Sequence, residues 1–256
     1  MAHIYALVNQ KGGVGKTTTA INLGAYLTQL RQRVLIVDVD PQANATASLG
    51  VDHKQLEMSI YDTLIADYPP AEIVLKNRKL DLSLLPSSTD LAGAQVEMTQ
   101  LPDREKLLER VLQELQNHYD YLLIDCPPSL GLLTLNGLVA AKAGVIIPVQ
   151  CEYLALEGLT QLMQTLERVR TNLFPGLTIR GMVLTMFDAR TNLSRDVVDE
   201  VRRHFPDRVF RSIIPRSIRL AEAPSHGLPI SIYAPESTGA LAYRGLAKEL
   251  LDGDRD

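Results

Sequence analysis

A chain of 256 residues, 46% of them hydrophobic, can bury a sizeable core, and its length fits one large α/β domain or two small ones. No apolar run approaches the roughly 20 residues of a membrane span, the N-terminus leads straight into a strand pattern with neither a signal peptide nor a leading domain, and two separated cysteines, Cys126 and Cys151, exclude a disulfide scaffold and fit a reducing cytoplasm. The net charge of −4 argues against bulk attraction to nucleic acid but leaves room for a local basic patch.

The first apolar run, Ile4–Val8, predicts a strand, and the segment after it carries the densest chemistry in the chain. Residues 9–18 read Asn-Gln-Lys-Gly-Gly-Val-Gly-Lys-Thr-Thr. In an ordinary phosphate-binding loop, glycines let backbone N–H groups converge on phosphate oxygens. A final lysine reaches the β and γ phosphates, and the next hydroxyl binds Mg2+. Gly15, Lys16 and Thr17 fill those places, and Gly12, Gly13, Val14 and Thr18 complete the cradle. Where the ordinary pattern begins with glycine, this chain has Gln10 and then a second lysine, Lys11. An extra ammonium beside the loop points to an anion that needs it; the alternative is a solvated lysine beside a turn. Thr18–Leu30 continues with Ala20, Leu23, Leu27 and Leu30 at helical spacing, so a helix N-terminus adds its positive dipole end to the site.

Val34–Val37 is apolar at every position, as expected of a strand covered on both faces, and Asp38 and Asp40 follow it. Leu80–Leu85 predicts another strand, and Leu107, Leu108, Val111, Leu112 and Leu115 form a helical stripe. Tyr121–Ile124 repeats the buried-strand pattern and ends on Asp125. Ligands of open α/β sheets bind beyond the carboxyl ends of the strands. An aspartate there, beside a phosphate loop, is expected to hold Mg2+ through its waters, which suits Asp125 and extends to Asp38. Asp40 opens the irregular stretch Pro41–Thr46, where a carboxylate could orient an attacking water. Both Asp38 and Asp40 can also be read as helix caps or turn residues.

Val145–Val149, Ile179–Thr185 and a short piece near Val209–Ile214 predict the remaining strands, and Leu156, Leu159, Leu162, Met163, Leu166 and Val169 make another core-facing stripe. This alternation predicts a single-domain α/β fold, a mostly parallel twisted sheet flanked by helices, over residues 1–251. The acidic tail 252–256 is expected to be disordered. The five histidines show no metal-type spacing.

Together, Lys11-Gly-Gly-Val-Gly-Lys-Thr-Thr, Asp38-Val-Asp-Pro-Gln-Ala-Asn and Leu123-Ile-Asp-Cys-Pro-Pro resemble the deviant Walker-A ATPases of the ParA/MinD group. Pro148-Val-Gln-Cys-Glu-Tyr, Leu184-Thr-Met-Phe-Asp-Ala-Arg-Thr-Asn and Glu222-Ala-Pro-Ser-His-Gly bring the resemblance closer to chromosomal ParA proteins of the Soj type, over roughly residues 3 to 250. The resemblance implies slow ATP hydrolysis with Mg2+ and an ATP-dependent sandwich homodimer in which Lys11 crosses to the partner's nucleotide. It implies Lys16 on the β and γ phosphates, Thr17 on Mg2+, Asp40 positioning the hydrolytic water, and Met186, Pro215 and Arg216 near adenine. Non-specific double-stranded DNA, a ParB-type activator and a cytoplasmic, nucleoid-associated location follow from the same likeness.

Between residues 180 and 219, nine arginines face five acids, a local excess inside an acidic chain, and the resemblance marks Arg190 and Arg219 as DNA contacts. Arginines such as Arg202 and Arg203 can equally be paired with acids on solvated helix faces. Nothing precedes the first strand that would supply the helix-turn-helix of longer plasmid ParA proteins. Two rival readings stay open. A MinD-like membrane ATPase should end in a basic amphipathic helix, whereas this chain ends on acids. An iron–sulfur reductase of the nitrogenase iron-protein type would use Cys126 and Cys151, which read more simply as small buried residues.

Overall fold

A computed structural model describes residues 2–255. Strands β1 (His3–Leu7), β2 (Val34–Asp38), β3 (Leu75–Asn77), β4 (Leu82–Leu85), β5 (Tyr121–Asp125), β6 (Gly144–Gln150) and β7 (Ile179–Thr185) form one sheet in the order β3-β4-β2-β5-β1-β6-β7. All pairings are parallel except β3 with β4. The chain after β1, β2 and β5 therefore leaves the sheet at one common edge, where an open α/β sheet places its ligands.

Helices α1 (Lys16–Gln29) and α2 (Asn44–Ser48) follow β1 and β2. Helices α3 (Ile60–Ile65) and α4 (Pro70–Ile73) lead into β3, and α5 (Leu91–Met98) and α6 (Leu107–Leu115) precede β5. Then come α7 (Leu132–Ala140), α8 (Ala155–Asn172), α9 (Asn192–His204), α10 (Ile218–Glu222), α11 (Ile230–Tyr233) and α12 (Thr238–Gly253).

Successive strand residues face opposite sides, and the sequence supplies apolar groups to both. On β1, Tyr5 and Leu7 pack with α1 and α12, while Ile4 and Ala6 face the core under α3 and α5–α9. Tyr121 and Leu123 of β5 join the first layer, Leu122 and Ile124 the second. Each fully buried leucine in these layers contributes about 1.5–3 kcal/mol.

The structure departs from the sequence reading at three places. The short edge strand β3 is exposed and has no apolar pattern to announce it. The expected strand over Val209–Ile214 is reduced to single bridges. Its Arg211 and Ser212 N–H groups donate to the Glu249 carboxylate of α12 (2.6 and 3.1 Å), so they are spent on a side chain and not on a ladder. The acidic tail is built into the fold: Asp252 and Gly253 belong to α12, and the Asp254 carboxylate is buried; residue 256 lies outside the described residues.

Asp254 accepts hydrogen bonds from the phenols of Tyr5 (2.7 Å) and Tyr121 (3.0 Å) and from Arg180 Nε (2.8 Å). The apolar face of α12, including Tyr243, Leu246 and Leu250, is buried against the sheet and α1. That face is consequently not offered to a membrane surface. Among the described residues, no helix is long and apolar enough to cross a membrane.

Candidate active site

The chain turns from β1 into α1 through two left-handed residues, Gly13 (φ 75°) and Gly15 (φ 91°), conformations that a side chain resists. The turn is tethered from neighbouring strands. Asn9 Nδ2 donates to the Pro148 carbonyl on β6 (2.8 Å), while Asn9 Oδ1 accepts the Lys11 N–H (3.0 Å). Thr185, at the end of β7, donates to the Val14 carbonyl (2.9 Å). Neither Asn9 nor Thr185 is singled out by the sequence reading. The one available signal is a short amide at the end of a strand, a residue type that bonds its own turn.

A cavity of about 430 Å³ opens over this loop, lined by Gly12, Gly13, Lys16, Thr17, Asp40 and Pro128 among others. A second, of about 250 Å³, is lined by Pro215, Arg216 and Tyr243. Gly15, Thr18 and Met186 line both, so the two are halves of one cleft. Met186 holds a left-handed φ of 53°, fixed because Phe187 donates to the Ile214 carbonyl (3.1 Å) and pairs with Pro215. Met186, Pro215 and Arg216 thus share one pocket, next to the phosphate loop. A wider groove of about 670 Å³ between α8 and β7 contains none of these residues.

Lys16 is buried, and its ammonium has one long bond, 3.4 Å to the Lys11 carbonyl. Burial pulls its pKa below the ordinary lysine value, against the attraction of Asp125 and Asp40. A buried cation so sparsely bonded is poised for anionic oxygens.

Asp38 and Asp125 are register partners at the carboxyl ends of β2 and β5, both fully buried. Asp125 Oδ2 accepts the Thr17 hydroxyl (2.7 Å), while Oδ1 is buried without a partner among the described residues. Burial first, then repulsion from Asp38, pushes the Asp125 pKa well above the carboxylate range. A hydroxyl and an orphaned carboxylate oxygen are hard donors that fit a small divalent cation. Asp38 is different. Its Oδ1 accepts the Asp40 N–H (3.1 Å), and its Oδ2 accepts both the N–H and the hydroxyl of Thr46 (2.8 and 2.7 Å). Burial raises its pKa to about 6, opposed by the Thr46 bonds.

Asp40 lines the phosphate cavity with one carboxylate oxygen bonded to the Gln42 N–H (2.9 Å). Lys11 does not line it. Its ammonium lies at the rim, ion-paired with Glu152 at the start of the segment leading into α8.

A family model described as an AAA domain matches residues 2–179. The chain is 50% identical to the chromosome-partitioning ATPase Soj of Treponema pallidum over 258 residues, covering all of both chains. It is also 50% identical to the sporulation initiation inhibitor protein Soj of Bacillus subtilis, covering 98% of each. The chain belongs to the ParA/MinD family, as a Soj-type chromosome-partitioning ATPase. Its fold matches a Mycobacterium smegmatis structure described as cobyrinic acid a,c-diamide synthase with a bound ATP analogue and magnesium. That match has a TM-score of 0.88 and 39% identity, and covers 100% of this chain and 97% of the other.

In this ATPase both cysteines are free and buried in the core, and burial pushes the Cys151 thiol up to about 11. Neither is presented at a surface where two subunits could share a cluster. The arginine-rich segment is less uniform than its sequence suggests. Arg180 is committed to Asp254, and Arg203 to Glu200. Arg190 forks onto Asp188 (2.9 and 2.7 Å), and Arg219 bonds Glu222 (3.0 Å). These last two pairs are exposed and local, the kind that a phosphate can displace.

Proposed function

We propose that this chain partitions DNA as an ATP-gated homodimer, with Lys11 delivered across the interface to the partner's nucleotide. The observation that carries this reading is the division of labour between two lysines. Lys16 sits buried inside the phosphate cavity, whereas Lys11 stands outside it, 40% exposed and held by Glu152. A lysine that cannot serve its own cleft can serve another, as an arginine finger does in trans. Beside Glu152, Tyr153 is 82% exposed and Leu154 is half exposed, apolar surface suited to a second copy of the chain.

Within each subunit, the loop N–H groups and Lys16 take the β and γ phosphates of ATP, and Met186, Pro215 and Arg216 surround adenine. Thr17 and, through water, Asp125 hold Mg2+, which when bound neutralises charge on the phosphates. Asp38 is better assigned to the loop that carries Asp40 than to the metal, because its oxygens are already engaged there. Asp40 orients the attacking water. The dimer doubles the number of exposed arginines, and Arg190 and Arg219 exchange their carboxylates for DNA phosphates without reading sequence. A ParB-type activator releases the dimer from the nucleoid by stimulating hydrolysis.

Lys11→Ala tests the reading by light scattering. Nucleotide binding through Lys16 should persist while the ATP-dependent dimer and the ATPase activity are lost. An unchanged ATP dimer in that variant would overturn it.

A further inference from the structure

The segment from Asp40 to Asn44 is irregular and contains Ala43 at a left-handed φ of 50°, yet it carries a carboxylate that must sit within a fraction of an ångström of its working position. What holds it is a closed ring of hydrogen bonds. The Asp40 N–H donates to Asp38 Oδ1 (3.1 Å), and the Asp40 carbonyl accepts the Ser87 hydroxyl (2.8 Å). The ring closes through Thr46, whose hydroxyl donates to Asp38 Oδ2 (2.7 Å) and accepts the Ser87 N–H (3.0 Å).

We propose that Thr46 and Ser87 are positioning residues for ATP hydrolysis, clamping both peptide groups of Asp40 so that only its side-chain torsions stay free. The proposal rests on the reading of Asp40 as the residue that orients the attacking water. Thr46 and Ser87 are fully buried and neither lines the phosphate cavity, so they act through Asp40 and not on the nucleotide. Ser87 also reaches the site from another strand. It follows β4, which pairs with β2 from Val34↔Leu82 to Val37↔Leu85, and this register sets it beside Asp40. Buried, mutually satisfied hydroxyls of this kind fix one geometry, because any slip leaves a buried polar group unpaired.

The test is steady-state ATP hydrolysis by the full chain with Mg2+, together with ADP affinity, for Ser87→Ala, Thr46→Val, Thr46→Ser and Asp40→Ala. Displacing a reacting group by about an ångström costs on the order of a hundredfold in rate. Ser87→Ala and Thr46→Val should therefore lose roughly ten- to a hundredfold in kcat, with KM and ADP affinity within about twofold of wild type. Thr46→Ser, which keeps the hydroxyl, should recover most of the rate. Adding Ser87→Ala to Asp40→Ala should change nothing further, because the clamp acts through that one side chain.

A merely structural role would lower the melting temperature without separating kcat from KM, and that result would overturn the clamp. Should Thr46→Val not fold, the milder Ser87→Ala decides. An inactive Asp40→Ala beside fully active Ser87→Ala and Thr46→Val would overturn the clamp alone. Wild-type turnover by Asp40→Ala would overturn the assignment of Asp40, and the clamp with it.

Discussion

Replacing Asp254 with alanine removes a carboxylate that Tyr5, Tyr121 and Arg180 share at the edge of the sheet opposite the phosphate cleft. The Asp254 side chain is 3% exposed, so water does not take over its bonds. A hydrogen bond to a charged group is worth about 1.5–3 kcal/mol, and breaking a buried ion pair from one side costs about 3–5 kcal/mol. These figures overlap and do not add. Arg180 also keeps a second acceptor, the Leu250 carbonyl at 3.1 Å, which places the loss near the low end, about 3 kcal/mol. For a chain of this size that is a fall of roughly 6–12 °C in melting temperature. Asp254→Asn, which keeps an acceptor for the tyrosines but not the charge, should fall between alanine and wild type. Circular dichroism melts measure the effect, and ATP hydrolysis well below the melting point should be unchanged because the clasp joins the starts of β1, β5 and β7. An Asp254→Ala melt within 1 °C of wild type would refute the reasoning and return the tail to a passive role.

Glu152→Ala should free Lys11 and lower the ATP concentration needed for dimerisation. The pair is partly exposed at both ends and worth about 0.2–1 kcal/mol, so the shift is roughly 1.5- to 5-fold; light scattering showing a weaker dimer would contradict the model. Arg219→Glu should abolish retention on random duplex DNA while sparing the ATP dimer, and Arg190→Ala should reduce the salt dependence by about one unit of log–log slope. Normal DNA binding by Arg219→Glu at low salt would misplace the patch. Burial raises the Asp38 pKa to about 6, so the protonated form favours the fold. Its stabilising contribution is full below pH about 4 and lost as pH rises through about 6, so melting profiles of nucleotide-free Asp38→Asn should be flatter across that window; parallel profiles would sink this assignment.

The phosphate loop, the parallel sheet and the carboxylates at the strand ends were legible because each is written in contiguous residues, where strand and helix periods and glycine positions report local geometry directly. What stayed hidden lies between segments distant in the chain. Thr185 anchors Val14 across 171 residues, Tyr5 reaches Asp254 across 249, and Ser87 grips Asp40 across 47. None of these side chains disturbs the local pattern, so no periodicity exposes them. The tail shows the same thing in reverse: a run of acids reads as solvated until a buried arginine and two phenols are found waiting for one of them.

Asp38 and Asp125 sharpen the point, since their sequence contexts are nearly the same: a fully apolar strand, then an aspartate, and the two even face each other in register. The sequence reading gives both to Mg2+. Their neighbours separate them. β5 ends beside α1, and the Thr17 hydroxyl there occupies one Asp125 oxygen and leaves the other bare over the cleft floor. β2 ends beside its own returning loop, and Thr46 and the Asp40 N–H occupy both Asp38 oxygens. Two carboxylates this close and this buried cannot both stay charged without compensation, which is why the pKa of each is raised. An arriving cation relieves the one with the free oxygen first. The role of each aspartate is thus set by the donors that reach it, and strand order, not strand sequence, decides which donors those are.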